Sequence, residues 1–566
     1  MNSSSRQSSI RARLLSLVSC ALVAGLALAA CGGEQEVAGT ITVSQTGEPE
    51  RLDPAFAYTG EGLGTVGASE PLSLVYTPLL TYRHEEGERG AELIPGLAQD
   101  LPEVSDDGLT YRLALREELE YSNGDRVRAR DFEHAIKRLL IAGTPAARFF
   151  DHIVGAQTYA LTGAAGAEIS GIESDDDTGE IEIRLTEPDA SFPYALGMWF
   201  AGLVPASTQF RDRSADPPPG VGPYEITEAE PGSRFVLSKS ATFTELAIPD
   251  IPTGNVDEIV VEIIASVERQ AEEVLSNELD YMRDSPPPEV KSTLLSESRE
   301  RYREQTAAGT YLFFLDPESP PFDDPRARQA VNYALDRAEL ARAFEGELEP
   351  GCSFLPPGVA GYDEELDTTG CPYGDPTEPP DERRAGRLIR RAGAWGAPVT
   401  VAGSDEPGIE AATEAYAETL RTIGLDTTTV IVDHGTYLRR LARGRPPGAT
   451  GFASSFPDFP HPLRSYSLLT GISAGSEVAP SLPMVADPIV GEEVERLNLE
   501  PDLDAIAEDW AALDGYVVSP PQSYIAPIGH PKLTTFVSER LDLDQASFHP
   551  VFLNDYSSFV LATDDS

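Results

Sequence analysis

Basic residues are the first scarcity: 43 Lys and Arg face 93 Asp and Glu over 566 residues, a formal net charge of −50. Such a surface repels phosphate backbones and argues against nucleic acid as a partner, while the acidic excess itself keeps a chain soluble. Cysteine is scarce too, at four. Cys20 and Cys31 lie in the N-terminal segment, leaving Cys352 and Cys371 in a stretch rich in Pro, Gly and Asp. A metal or nucleophile site there would want a nearby His, and the nearest is His434, so a disulfide is the expected fate of the pair in an exported chain. The seven His are scattered, which disfavours a His-built metal cage. Neither a His-Glu-x-x-His pair nor a Walker lysine occurs. Gly62-x-Gly64-x-x-Gly67 matches the dinucleotide fingerprint formally, but no strand precedes it and no helix opens from it, so it reads as a flexible loop. No internal repeat is evident. No cofactor and no metal are expected, and the chain is not expected to be an enzyme.

The N-terminus is ordered in a telling way. Arg6, Arg11 and Arg13 precede an apolar run from Leu14 to Leu28 and then Ala29-Ala30. This is the charged, apolar, small-residue order of a secretory signal, and the run is shorter than the ~20 residues a spanning helix needs. Leu28-Ala29-Ala30-Cys31 resembles the bacterial lipobox. That implies removal of residues 1–30, lipidation of Cys31, and a small polar tether over residues 31–39. No later stretch is long and apolar enough to cross a bilayer, so the body is expected at the extracytoplasmic face of the cell membrane, held by its anchor alone.

Strand and helix patterns alternate along the rest. Thr40 to Ser44 is a β-type run. Thr110 to Arg116 places Tyr111, Leu113 and Leu115 on one face between the turns Asp106-Asp107-Gly108 and Asn123-Gly124. From Asp131, the residues Phe132, Ile136, Leu139 and Leu140 form one apolar helical stripe. Strands are expected at 181–185 and 259–264 and a helix at 266–275, whereas Pro286-Pro287-Pro288 reads as punctuation outside any element. Asp324-Pro325 and Asp336-Arg337-Ala338-Glu339 carry helix-start chemistry, with Gly346 as a stop. Helices at 383–391 and 409–423 then alternate with strands at 399–402 and 427–432.

Several collinear stretches resemble one family. They are Leu52-Asp53-Pro54, Pro95-Gly96-Leu97-Ala98, Gly108-Leu109-Thr110-Tyr111-Arg112-Leu113, Asn123-Gly124 with Ala129-Arg130-Asp131-Phe132, and Gly220-Val221-Gly222-Pro223-Tyr224. Pro320-Pro321-Phe322-Asp323-Asp324, Arg328-Gln329-Ala330-Val331-Asn332, Ala334-Leu335-Asp336-Arg337, Leu355-Pro356-Pro357 and Ile423-Gly424-Leu425 follow in order. Together they resemble the peptide- and nickel-binding substrate-binding proteins of ABC importers, solute-binding protein family 5. The resemblance implies an α/β, two-lobed periplasmic-binding-protein fold of the Venus-flytrap type with an extra inserted N-terminal subdomain. Lobe I would comprise 40–78, 190–303 and 520–566, the inserted subdomain 79–189, and lobe II 304–519. A monomer would enclose a small molecule, a peptide by default, and present the closed form to ABC permease subunits. Alternatives are a non-peptide solute such as a blocked peptide or metal chelate or, from another class, a secreted hydrolase or surface sensor. Most motif residues are expected to be architectural, and Asp336-Arg337 to be an exposed ion pair at a helix junction.

Family members hold a ligand ammonium with an Asp in a motif resembling Gly-Trp-x-x-Asp-Tyr. Here Gly451-Phe452-Ala453-Ser454-Ser455-Phe456-Pro457-Asp458 stands in its place: Phe452 for the Trp, Ser455 for the Asp and Phe456 for the Tyr. A hydroxyl cannot supply the charge-assisted bond of a carboxylate. Asp458 either serves instead or is a turn residue before Pro460. His434 and Tyr58 complete the candidate ligand-binding set.

Overall fold

A single long strand joins two halves of one sheet. The computed structural model describes residues 39–47, 51–58, 68–163, 167–230, 232–441, 443, 446, 448–471, 485 and 487–562; the proposed signal, Cys31 and the Gly62–Gly67 string lie outside them. The strands of the largest sheet are β1 (Thr40–Gln45), β2 (Tyr224–Glu230), β3 (Arg234–Lys239), β4 (Glu258–Ile263), β5 (Tyr281–Met282) and β6 (Tyr302–Thr306). They continue as β7 (Thr310–Leu315), β8 (Leu348–Pro350), β9 (Pro398–Ser404), β10 (Asp426–Val432), β11 (Thr450–Ser455) and β12 (Ile525–Val537). Their order is β10-β9-β11-β7-β12-β5-β1-β4-β3-β2, with β6 and β8 also paired to β12. The first half of β12 pairs with β7 and β8, and its second half with β6 and β5. Among the described residues the chain therefore passes between the two wings at two places, Ala307 to Gly309 and Gly529 to Pro531.

Each wing follows from its local sequence. In β1 the alternation puts Ile41 and Val43, both fully buried, into the N-terminal core. In β7 the same alternation serves two cores: Phe313 and Leu315 pack on one face of the sheet, Leu312 and Phe314 on the other. Helix α1 (Arg130–Ala142) buries Phe132, Ile136 and Leu139 and ends at Gly143 in the left-handed region. Ser266 caps α2 (Val267–Leu275) through the Arg269 amide, and Asp324 caps α3 (Pro325–Ala334) through the Arg326 amide. Asp336 accepts the Glu339 N–H at 2.8 Å to start α4 (Arg337–Ala343). The remaining helices used below are α5 (Glu382–Arg391), α6 (Pro407–Thr422), α7 (His434–Leu441), α8 (Pro462–Thr470) and α9 (Ala507–Val518). A four-stranded antiparallel sheet, built from segments between Glu103 and Arg184, stands apart from the main one.

Two expectations are corrected. Arg337 is not half of an exposed pair: it is buried, donating to Gly351 O at 3.0 Å and Pro527 O at 2.9 Å, so it ties α4 to β12. The proline run is only partly punctuation, because Pro288 opens a helix, Pro288–Glu297, in the first turn, where the N–H it lacks would have no intrahelical acceptor. The Asp53 of Leu52-Asp53-Pro54 takes two bonds from Arg138 on α1, at 3.0 and 2.6 Å, both side chains being wholly buried. That motif is thereby tied to α1.

Candidate functional site

The parallel strands of each wing end at a common edge. β9 runs parallel to both β10 and β11, so Ser404, Val432 and Ser455 finish side by side. In the other wing β1 is parallel to β4 and β5, which brings Gln45, Ile263 and Met282 to one edge. Loops leaving the carboxyl ends of parallel strands are where such sheets hold ligands.

The segment that follows β11 reaches the N-terminal wing. Asp458 accepts bonds from Arg148, at 3.1 and 2.9 Å to its two oxygens, and from Arg464 at 2.9 and 3.2 Å. Tyr58 donates its phenolic O–H to the same carboxylate. Both guanidiniums lie against the Phe149 ring, Arg148 at 4.9 Å and Arg464 at 4.8 Å from its centroid. Phe149 in turn stacks on Phe200 at 5.7 Å and meets Phe459 edge-on at 5.3 Å. Burial raises the Asp458 carboxyl above its ordinary range, against the pull of Arg464. Burial together with the charge of Arg464 brings Arg148 down to about 9. An incoming ammonium would have to displace two guanidiniums to reach Asp458.

The other candidates divide between core and edge. Phe452 is buried in β11 against Tyr311, at 5.1 Å, and Phe344, at 5.9 Å, and is a wall of the C-terminal core. Phe456 is half-buried and perpendicular to Tyr311 at 5.8 Å. Its ring fills the space over Gly309, where a Cβ would come within 2.1 Å of it, so this inter-wing crossing requires glycine. Ser455 pairs in register with Thr310, and its hydroxyl has no hydrogen-bond partner among the described residues. His434 stands apart at the start of α7, with its Nδ1 3.0 Å from Ser404 Oγ and its backbone N–H donated to Asp405. Tyr58 and Asp458 are thus brought together, Phe452 and Phe456 share Tyr311, and His434 touches none of them. Arg148 and Arg464 were missed; the available signal was an arginine beside aromatics in an acidic chain, as in Arg148-Phe149-Phe150.

The second crossing is buried and polar. The His530 ring meets Gly309 O through Nδ1 at 2.8 Å, and because a carbonyl only accepts, Nδ1–H donates. Nε2 then faces Asp367 Oδ2 at 3.2 Å. Burial opposes the Asp367 charge, but His530 and the amides of Ser353 and Cys352 outweigh it and bring Asp367 down to about 2. Cys352 and Cys371 are joined by a disulfide, Cα atoms 5.8 Å apart, which closes the loop carrying Asp367. Among the described residues no three His, Cys, Asp or Glu converge as metal ligands, and no helix is long and apolar enough to cross a membrane. Gly471-Ile472-Ser473-Ala474-Gly475 matches the Gly-x-Ser-x-Gly string of hydrolases but follows helix α8 rather than a strand, and from Ile472 it lies outside the described residues.

Comparison with known proteins gives this geometry a setting. The family model described as bacterial extracellular solute-binding proteins, family 5 Middle, matches residues 92–475. The probable di/tripeptide-binding protein 5 of Pseudomonas aeruginosa (strain UCBPP-PA14) is 26% identical, covering 72% of this chain and 75% of that protein. The heme-binding protein A of Haemophilus influenzae is 23% identical over 74% of this chain and 78% of its own. Among solved structures, the clavulanic acid biosynthesis oligopeptide binding protein 2 superposes with a TM-score of 0.79 at 22% identity, covering 93% of this chain and 96% of that one.

Proposed function

This chain belongs to the bacterial extracellular solute-binding proteins of family 5, and we propose that it is a lipid-anchored member that captures a peptide-like molecule and delivers it to the permease of an ABC importer. Membership makes it a solute-binding protein rather than an enzyme. In the proposed assignment lobe I comprises 40–78, 190–303 and 520–566, the inserted subdomain 79–189 and lobe II 304–519. Cys31 carries the anchor. Ser455, Phe456, Asp458, Tyr58 and His434 line or close the cleft, and Phe452 supports it from behind. The observation that carries the reading is the junction of two parallel-strand edges through two short crossings, which suits hinge closure over a solute.

A specific observation favours a ligand lacking a free amine. Ser455 offers only a hydroxyl, and Asp458 is already neutralised by Arg148 and Arg464. A blocked peptide or another solute fits that charge pattern, and one relative, from Haemophilus influenzae, is named a heme-binding protein. Native mass spectrometry of freshly purified protein tests the reading. A co-purified peptide or blocked peptide supports it; a bound non-peptide solute replaces the ligand class, and cleavage of an added peptide mixture defeats the binding role.

A further inference from the structure

The cationic face of α5 is used by nothing described so far. Arg383, Arg384, Arg387, Arg390 and Arg391 are all exposed, while Ala385, Gly386 and Ile389 are buried. At 3.6 residues per turn the five arginines fall within an arc of about 120°. Among the described residues none of the five pairs with an acid; instead Arg384 lies over the Tyr333 ring and Arg390 over the Trp395 ring, each at 3.8 Å. The only acids on or capping the helix, Asp381 and Glu382, sit at its start. Trp395 is 54% exposed, and it is wedged against Gly424, where a Cβ would come within 2.4 Å of its ring.

This arrangement is anomalous in a chain of net charge −50 with only four lysines. Elsewhere the exposed arginines are commonly matched, as Arg112 with Glu182 or Arg496 with Glu493 and Asp509. Screening over about 8–10 Å hides the distant acids from anything that touches α5, so the patch acts as a local cation. Guanidinium forks match phosphate oxygens two at a time. An indole beside them belongs in a headgroup layer, where its ring is half in water and half in hydrocarbon. An acidic protein surface would use the charges but not the exposed ring.

We propose that α5 and Trp395 form a docking face for an anionic membrane surface, which orients lobe II against lipid phosphates. The acidic remainder of the body is repelled, which favours approach by this face.

The test uses residues 40–566, which form a compact unit of their own. This body is sedimented with vesicles of phosphatidylglycerol and phosphatidylcholine, about 40% anionic, and with pure phosphatidylcholine vesicles. Binding is expected to the anionic vesicles only, and to fade as salt rises. The triple variant R383E/R387E/R391E should weaken it by at least about tenfold, and W395A by about threefold, with thermal melts matching the parent. Equal binding to phosphatidylcholine, no binding to anionic vesicles, or no effect of the triple variant overturns the proposal. Charge-dependent binding to purified permease without binding to vesicles overturns it in favour of a protein partner.

Discussion

Asp53 and Asp458 are both carboxylates held by arginine, and they do different work. Asp53 receives Arg138 through both oxygens and also the amides of Ala55 and Arg213, with no solvent access to either charged side chain. Every partner lies within the N-terminal wing. Asp458 receives Arg148 from that wing and Arg464 from its own, and its side chain and that of Arg148 keep 11% and 28% of their exposure. Under the proposed assignment the same chemistry makes a fixture in one place and a separable contact in the other. Desolvation is the difference: a pair with no route to water cannot part without an uncompensated charge, whereas a pair that keeps some exposure can re-solvate.

The largest effect should come from breaking the fixture. Asp53→Ala strands the Arg138 charge in the core and is expected to cost about 3–5 kcal/mol, read from the urea midpoint. A loss below about 1 kcal/mol would put the pair on the level of a surface ion pair and remove the contrast.

Asp514 on α9 sharpens the comparison, because it is a buried carboxylate with no guanidinium at all. It accepts the Phe354 amide at 3.1 Å and the Tyr466 hydroxyl at 3.3 Å, and burial pushes it from 3.8 up to about 7. Between those values the folded chain keeps a proton that the unfolded chain has lost, so stability falls as pH rises through that window. The whole fall from this group is about 4 kcal/mol, at ~1.4 kcal/mol per pH unit. Asp514→Asn should flatten that slope in urea titrations between pH 4 and pH 7 (about the limits set by the two values). Asp367 acts in the opposite sense below that window, since its depressed value contributes stability that is lost only as pH falls toward about 2.

Asp458→Ala should cost less stability than Asp53→Ala, about 1–2 kcal/mol, because both freed arginines keep the Phe149 face. Its main consequence is on closure. Small-angle scattering of the ligand-free variant should show a larger radius of gyration than the parent. An unchanged radius alongside a stability loss as large as that of Asp53→Ala would make Asp458 a second fixture.

What the sequence made legible follows the same division. Helix starts at Asp324 and Asp336 were readable because a cap is local chemistry, settled within three residues. The strand expected from Thr110 was readable from alternation, and the structure has it at Thr110–Ala114. Arg337 was misread because its neighbour Asp336 is an obvious partner in sequence, whereas its actual acceptors, Gly351 and Pro527, arrive through β12. Arg148 and Asp458 are 310 positions apart, and no local pattern announces a contact between two loops. The family motif picked out the segment that holds Ser455 but not what its neighbours do to charge there.

Ser455 is the finest test of the contrast, since it asks whether a charge can be added where the protein uses none. Ser455 ends β11 in register with Thr310; the residue is buried, and its hydroxyl is unbonded among the described residues. Ser455→Asp places a carboxylate there that Arg148 and Arg464, already committed to Asp458, need not neutralise. A peptide ammonium should then gain a charge-assisted bond, and part of its ~1.5–3 kcal/mol is offset by desolvation of the new carboxylate. Calorimetry should show about tenfold tighter binding of peptides with a free amino terminus, equivalent to about 1.4 kcal/mol, and no gain for the same peptides N-acetylated. Equal gains for both would mean that the carboxylate acts on closure rather than on the amine. No gain for either would move the amine site away from Ser455 and leave the Asp458 cluster as the pole that ligands must open.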